Sequence, residues 1–343
     1  MPVIFFLLSG EHSTLPKAEL FSILDSGNYR YKVLEELPQV IRLETDMKCA
    51  TLVEKRAAMT RTCCLEVFHT EAEVRKILSR AEAVSFGEFL EADKSFAVRV
   101  RRVGRSAQDL DKLALERLLG AKIVEDVKDI KADLKRPQQL LLGVLTGNRF
   151  LFGLSLDGLR PKGFTKRDPM KRPYFHPAAL PAKLARCLVN LASPKEGDLL
   201  LDPFCGAGSV LIEAGLIGCR VLGLDADRNM VEGSERNLSY YGIDPEGLVV
   251  TDSRLLPIRE VDCVVTDPPY GRSASTFNSE TREIMETLLK RLVNVVKGRI
   301  VAGSPHTIEL KRVGEGAGLR CIGSHLIYVH RSLTREICLF EVA

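Results

Sequence analysis

The sequence has no tryptophan, and aromatic side chains make up only 6% of its 343 residues. It has no apolar run near its start that approaches the roughly 18 residues a membrane-spanning helix needs. The run there covers only residues 3–8, with no basic segment before it. A membrane-spanning protein and a secreted precursor are both unexpected. None of the nine cysteines forms a Cys-x-x-Cys, and adjacent Cys63 and Cys64 lack the spacing of a chelating pair, so the common zinc and thiol-redox motifs are absent. The expectation is of reduced core cysteines in a cytoplasmic protein with no metal site, although intracellular disulfides do occur in some hyperthermophiles. Fixed-period repeats and low-complexity tracts are missing too. What remains, 45% apolar and 27% charged residues, is the balance of a soluble globular chain of two or three domains.

The formal charge of +4 is distributed unevenly. Residues 1–98 carry 12 Lys and Arg against 15 Asp and Glu, residues 99–175 carry 18 against 9, and residues 176–343 carry 19 against 21. The whole basic excess therefore lies in the middle, at Arg99, Arg101, Arg102 and Arg105, at Lys135 and Arg136, and at Lys166, Arg167, Lys171 and Arg172. A polyanion is the natural partner of such a concentration, since each neutralised phosphate releases condensed counterions. A solvated charged face is the competing reading.

Patterning divides the chain. Residues 1–64 open on an apolar strand, continue through Ser13 and Thr14 as a helix cap with Pro16 in the first turn, and alternate as a half-buried strand over 39–45. This is expected to be a small α+β unit. In residues 65–155 the strand 96–101 sets apolar residues against arginines. A helix over 107–119 follows, ended by Gly120, and then two strands, 139–145 and 149–155, are joined by Thr146, Gly147 and Asn148. The stretch 156–176, rich in glycine, proline and basic residues, reads as a linker. From 177 strands alternate with helices, which predicts a mostly parallel sheet with strands at 199–203, 220–225, 248–251, 261–267 and 299–303, a helix at 280–296, and two closing strands at 322–330 and 336–342.

Three strand ends carry the informative residues, and open α/β sheets bind ligands outside such ends. The first is Asp202-Pro203-Phe204-Cys205-Gly206-Ala207-Gly208-Ser209, leading into an apolar helix. Its Gly-x-Gly lets backbone amides approach a ligand closely. The carboxylate of Asp202 repels a pyrophosphate but attracts the ammonium and sulfonium of S-adenosylmethionine. Asp225, with Ala226 beside it, stands 23 residues beyond Asp202, where an acid can accept ribose hydroxyls. Capping the next helix is its other reading, a task that Asp227 could perform instead. Asp252 and Ser253 follow the third strand and suit the adenine amino group.

The fourth strand runs into Thr266-Asp267-Pro268-Pro269-Tyr270-Gly271-Arg272. Here the resemblance to a family is close: Asp/Asn-Pro-Pro-aromatic is the signature of S-adenosylmethionine-dependent amino methyltransferases. The chemistry accounts for these residue types. An exocyclic amine has its lone pair delocalised into the ring. If Asp267 and the carbonyl oxygen of Pro268 each accept one N–H, the nitrogen is drawn towards a tetrahedral form with its lone pair aimed at the methyl carbon. Pro269 stiffens the turn and Tyr270 would stack on the base.

Phe96, Val98, Arg99, Arg102 and Pro137 resemble the THUMP domain of RNA-modifying enzymes. The whole chain resembles the archaeal and eukaryotic tRNA guanine-10 2-amino methyltransferases, most clearly at Tyr174-Phe175-His176-Pro177, at 201–208 and at 266–273. This resemblance implies an α/β fold: a ferredoxin-like region (1–64), a THUMP domain (65–155), a basic linker (156–176) and a class I, Rossmann-like methyltransferase domain (177–343). It implies S-adenosylmethionine as methyl donor, tRNA as substrate, and, in some relatives, a small zinc-binding activator protein. It also places His176 and Pro177 beside the methionine end of the cofactor; a capping or core histidine is the alternative. An Asp rather than Asn at 267 suits a guanine amine, and the target base would be flipped out of its stack. Three other readings remain: the sister group methylating guanine 6, a catalytically inactive tRNA-binding module, and a nicotinamide-dependent dehydrogenase. The last would want a glycine where Leu211 stands.

Overall fold

The computed structural model describes residues 1–156, 163–268 and 274–342, with the backbone course alone for 274–280. Along the first half the elements are β1 (Val3–Leu8), α1 (Leu15–Ser26), β2 (Tyr31–Leu37), β3 (Val40–Thr45), α2 (Cys49–Arg56), β4 (Thr60–Glu71), α3 (Val74–Glu82), β5 (Phe96–Arg102), α4 (Lys112–Asp126), β6 (Gln139–Thr146) and β7 (Arg149–Ser155). The second half follows with α5 (Ala182–Leu191), β8 (Leu199–Asp202), α6 (Ser209–Gly215), β9 (Arg220–Asp225), α7 (Arg228–Tyr240), β10 (Gly247–Val250), β11 (Cys263–Thr266), α8 (Ala274–Leu292), β12 (Ile300–Pro305), α9 (Leu310–Gly316), β13 (Leu319–His330) and β14 (Leu333–Val342). Two compact units result. Unit 1 holds Met1–Glu11, Asn28–Glu54 and Thr60–Arg160; unit 2 holds His12–Gly27, Lys55–Met59 and Pro161–Ala343.

Unit 1 is built on a seven-stranded sheet in the order β2-β3-β1-β4-β7-β6-β5. The expected break at residue 64 falls inside β4, which pairs with β1 on one side and β7 on the other. The first strands and the later ones therefore share one sheet, because the 12-residue β4 is long enough to pair with β1 over residues 60–65 and with β7 over residues 64–71. Phe96, Val98 and Val100 alternate on β5 and pack with Leu115, Leu119 and Ile123 of α4. That helix differs from the expected 107–119. Ala107 has positive φ, Asp111 caps the helix by accepting the N–H of Leu113 at 2.9 Å, and the buried stripe continues through Gly120 to Ile123. Gly147 and Asn148, both at positive φ, make the two-residue turn between β6 and β7.

Unit 2 carries the second seven-stranded sheet, β10-β9-β8-β11-β12-β14-β13. Its first five strands are parallel, and β14 and β13 close it antiparallel. Leu200, Leu201, Val264 and Val265 are fully buried within it. Met285, Leu288, Leu289 and Leu292 of α8 pack into the same core as Val264 and Ile300. Helix α1 is packed here too, with Leu15 in the core alongside Leu188 and Val189 of α5. Strand order reverses between β8 and β11, the switch point where such sheets leave a crevice. All nine cysteines are free thiols, eight of them buried. Among the described residues no helix is long and apolar enough to cross a membrane, and no group of three His, Cys, Asp or Glu could hold a metal ion.

Candidate active site

Because β10, β9, β8 and β11 run parallel side by side, their carboxyl ends deliver Asp252, Asp225, Asp202 and Asp267 to one edge of the sheet. Asp202 ends β8 and is only 2% exposed. One of its oxygens accepts the N–H of Phe204 at 3.1 Å and the hydroxyl of Thr266 at 2.9 Å. Burial pushes this carboxyl up to about 7; Asp225 and Asp267 push it the same way, against the two hydrogen bonds. The acid is therefore poised to change charge near neutrality, and a cation beside it would favour the ionised form.

The loop after β8 turns through Gly206 at φ +50° and Gly208 at φ +80°, conformations that side-chain-bearing residues rarely adopt. A Cβ on Gly208 would also press on Ser234 Oγ. Asp225 braces this loop: one oxygen accepts the N–H of Gly206 and the other the N–H of Asp227, both at 2.9 Å. Asp227 caps α7, accepting from the Asn229 N–H at 2.8 Å, so that task is not Asp225's. Pro203, Cys205 and Ser209 are buried, Phe204 partly so, and Ala226 is exposed. Asp252 pairs with Arg254 at 2.6 Å, which holds its carboxyl below the usual range. Next to it, the Ser253 hydroxyl is buried with no hydrogen-bond partner among the described residues.

The segment before α5 is tied to the same loop through a residue that the sequence did not single out. Asn237 of α7 accepts the N–H of Tyr174 and donates to the carbonyl oxygens of Tyr174 and Ala207, each at 2.9 Å. This sets the exposed Phe175 and Pro177 and the half-buried His176 beyond a fixed anchor. His176 Nδ1 accepts the N–H of Ala178 at 3.3 Å within a turn ahead of α5, whose N-cap is Pro181, so the half-buried His176 neither caps that helix nor sits in the core.

Asp267 directly follows β11, and its side chain is 7% exposed. Its Oδ2 lies 3.2 Å from Arg335 Nη2, and a Cβ on Gly303 would run into its Oδ1. Pro268 is buried. Pro269 and Tyr270, with residues 271–273, lie outside the described residues. Thr266, Gly303, Arg335 and Asn237 were all missed. Thr266 was detectable as a polar residue closing an apolar strand, whereas Arg335 reaches the site only through sheet order.

The ten basic residues separate. Arg101, Arg105, Lys135 and Arg136 in unit 1, and Lys166 and Lys171 in unit 2, are exposed. Arg99 is half-buried, 3.8 Å from Glu116. Three expectations are corrected. Arg102 turns back to donate to the carbonyl oxygens of Ala107 and Leu110. Arg167 pairs with the buried Glu213 at 2.7 Å. Arg172 is 5% exposed and donates to Ser209 Oγ at 2.6 Å and to the Arg167 carbonyl at 3.1 Å. Each satisfies a group inside the fold, which takes its charge from the surface.

Comparison with known proteins follows the same division. Residues 169–337 match the family described as "RMKL-like, methyltransferase domain", and residues 71–154 match the THUMP domain. The chain is 37% identical, over 98% of its length and 98% of the relative's, to a tRNA (guanine(10)-N2)-dimethyltransferase of Methanothermobacter thermautotrophicus. It is 33% identical, over 99% of both, to the protein of the same name in Methanocaldococcus jannaschii. The crystal structure of TrmN from Thermus thermophilus superimposes with a TM-score of 0.57 at 18% identity, covering 99% of this chain and all of that one, which shows a shared fold.

Proposed function

The chain belongs to the THUMP-domain tRNA (guanine-N2)-methyltransferase family, and from that premise we propose how its residues divide the work. It is a tRNA (guanine-N2)-methyltransferase that adds one or two methyl groups to the 2-amino group of guanine 10. Guanine 6 is the weaker reading, because both full-length relatives above carry the guanine-10 name.

S-adenosylmethionine, when bound, supplies a methyl group made electrophilic by its sulfonium. The residues fit such a ligand. Gly206 and Gly208 bare the backbone of the loop, the carboxyl of Asp202 has those of Asp225 and Asp267 within electrostatic reach, a set that suits a cationic ligand, and the buried Ser253 hydroxyl has no hydrogen-bond partner among the described residues. Asp202 would hold the charged methionine end, with the loop 203–209 and with His176 and Pro177 at its border. Asp225 beside Ala226 would accept the ribose hydroxyls, and Asp252 with Ser253 would meet the adenine.

Asp267 and the carbonyl oxygen of Pro268 then accept the two hydrogens of the guanine amine and orient its lone pair, Pro269 keeps the turn rigid, and Tyr270 stacks on the base. No covalent bond to the protein is needed; positioning and electrostatics carry the step. A flipped guanine is required, and the exposed Arg101, Arg105, Lys135 and Arg136 would engage the tRNA backbone, with Arg99, Lys166 and Lys171 in support. We read the enzyme as cytoplasmic, as its tRNA substrate suggests. For the zinc-binding activator implied by the resemblance, no surface is identified among the described residues.

The observation that carries this reading is the buried carboxylate of Asp267 at the switch point, followed by Pro268 and flanked by Asp202. An Asp267→Ala variant should lose transfer by roughly a hundredfold or more while titrating with S-adenosylmethionine as the wild type does. Full activity in that variant would refute the assignment. An inactive tRNA-binding module is disfavoured because Asp267, Pro268, Pro269 and Tyr270 are all present in the chain.

A further inference from the structure

We propose that Arg335 is a positioning residue for Asp267, holding its carboxylate in the orientation that receives the guanine amine; this rests on the reading of Asp267 given above. Strand β14 runs antiparallel to β12, with Arg335 opposite Pro305 and Ile337 opposite Gly303. Its first residues are thereby carried to the edge where β11 delivers Asp267. Sixty-eight residues of sequence separate the pair, yet Arg335 Nη2 and Asp267 Oδ2 stand 3.2 Å apart, with side chains only 12% and 7% exposed.

The surroundings single out this contact. Gly303 lies under the carboxylate, and any Cβ there would displace Oδ1, so Asp267 has room only because the residue beneath it has no side chain. Glu336, the next residue on β14, is engaged elsewhere: its oxygens accept the Leu310 N–H at 3.0 Å and the Ser324 hydroxyl at 2.9 Å. Asp267 also has an acidic neighbour within electrostatic reach, Asp202 at the end of β8. The Arg335 guanidinium supplies a cation beside Asp267, and its ion pair fixes the orientation of the Asp267 carboxylate. With Oδ2 paired to Arg335 and Oδ1 packed against Gly303, the orientation of the whole carboxylate is set by the fold before any base arrives, which is the preorganisation that an amine acceptor needs.

The test uses the full chain, S-adenosylmethionine and unmodified tRNA, with Arg335→Gln and Arg335→Lys variants. Arg335→Gln should lower kcat by roughly ten- to a hundredfold with KM for S-adenosylmethionine within about twofold of wild type. Arg335→Lys should recover most of the rate. In an Asp267→Asn background, Arg335→Gln should add no further loss, since no carboxylate remains to position. A wild-type rate in Arg335→Gln would overturn the proposal, as would an equal loss in both backgrounds, which would mark a purely structural arginine. If Asp267→Ala proves inactive while Arg335→Gln matches wild type, only this inference fails; if Asp267→Ala is fully active, the reading of Asp267 itself fails.

Discussion

In unit 1 the side chains of Arg101, Arg105, Lys135 and Arg136 stand in water, whereas in unit 2 Arg167 and Arg186 close on Glu213 and Arg172 reaches Ser209. The contrast extends to the acids, since Asp202 and Asp267 are buried and individually partnered. Exposed charges act collectively and through solvent, each worth little alone. Buried ones are positioned one at a time, and removing a partner leaves an uncompensated charge. Single substitutions should therefore be severe at these buried unit 2 residues and at the buried Arg42 of unit 1, which pairs with Glu66 at 2.6 Å, while the exposed cations of unit 1 should respond mainly to changes made several at once.

The severest case outside the catalytic residues is Glu213→Ala. Its carboxylate is fully buried and accepts from Arg167 at 2.7 Å and pairs with Arg186 at 2.8 Å. Removing the one carboxylate that these two guanidinium groups share should cost about 3–5 kcal/mol, seen as a lower unfolding midpoint in denaturant. A shift within error of wild type would erase the distinction between the two kinds of arginine.

A smaller effect is expected at Asp202. Its carboxyl sits at about 7 in the folded chain against an ordinary 3.8. A value raised by folding means that the folded chain holds the proton more tightly. Its contribution to stability is therefore complete below the ordinary value and is lost as pH rises through 7. Between about pH 4 and 8 the cofactor-free wild type should lose more stability than Asp202→Asn does. Binding of cationic S-adenosylmethionine to the wild type near neutrality should release a proton, read as a dependence of titration heat on buffer ionisation. Identical pH slopes in the two proteins would contradict the buried-acid account.

The mildest prediction concerns unit 1. Arg101→Glu with Lys135→Glu should weaken tRNA binding and flatten the plot of log affinity against log salt by about one unit per lost phosphate contact, leaving the unfolding midpoint nearly unchanged. The reverse pattern, a changed midpoint with an unchanged slope, would make these residues structural.

What could be read from the sequence follows the same physics. Strand 220–225 was legible to the residue, and the acids at strand ends were placed on their edge, because a buried strand followed by a turn is a local pattern. The hairpin at Gly147 and Asn148 was legible for the same reason. By contrast β4, whose neighbours β1 and β7 are distant in sequence, was divided at residue 64, and α4 was ended early because Gly120 signals a stop that Leu115, Leu119 and Ile123 override by packing. Arg172 counted as surface charge because nothing local reveals Ser209, 37 residues on. Arg335 was invisible until sheet order brought β14 beside β12.

The most direct test of the central claim is methyl transfer from labelled S-adenosylmethionine to two unmodified tRNA transcripts that differ only in carrying guanosine or inosine at position 10. Inosine lacks the exocyclic amine that Asp267 and the Pro268 carbonyl are proposed to hold. Label should appear as N2-methylated guanosine in the first transcript and be absent from the second; equal incorporation into both would contradict the account.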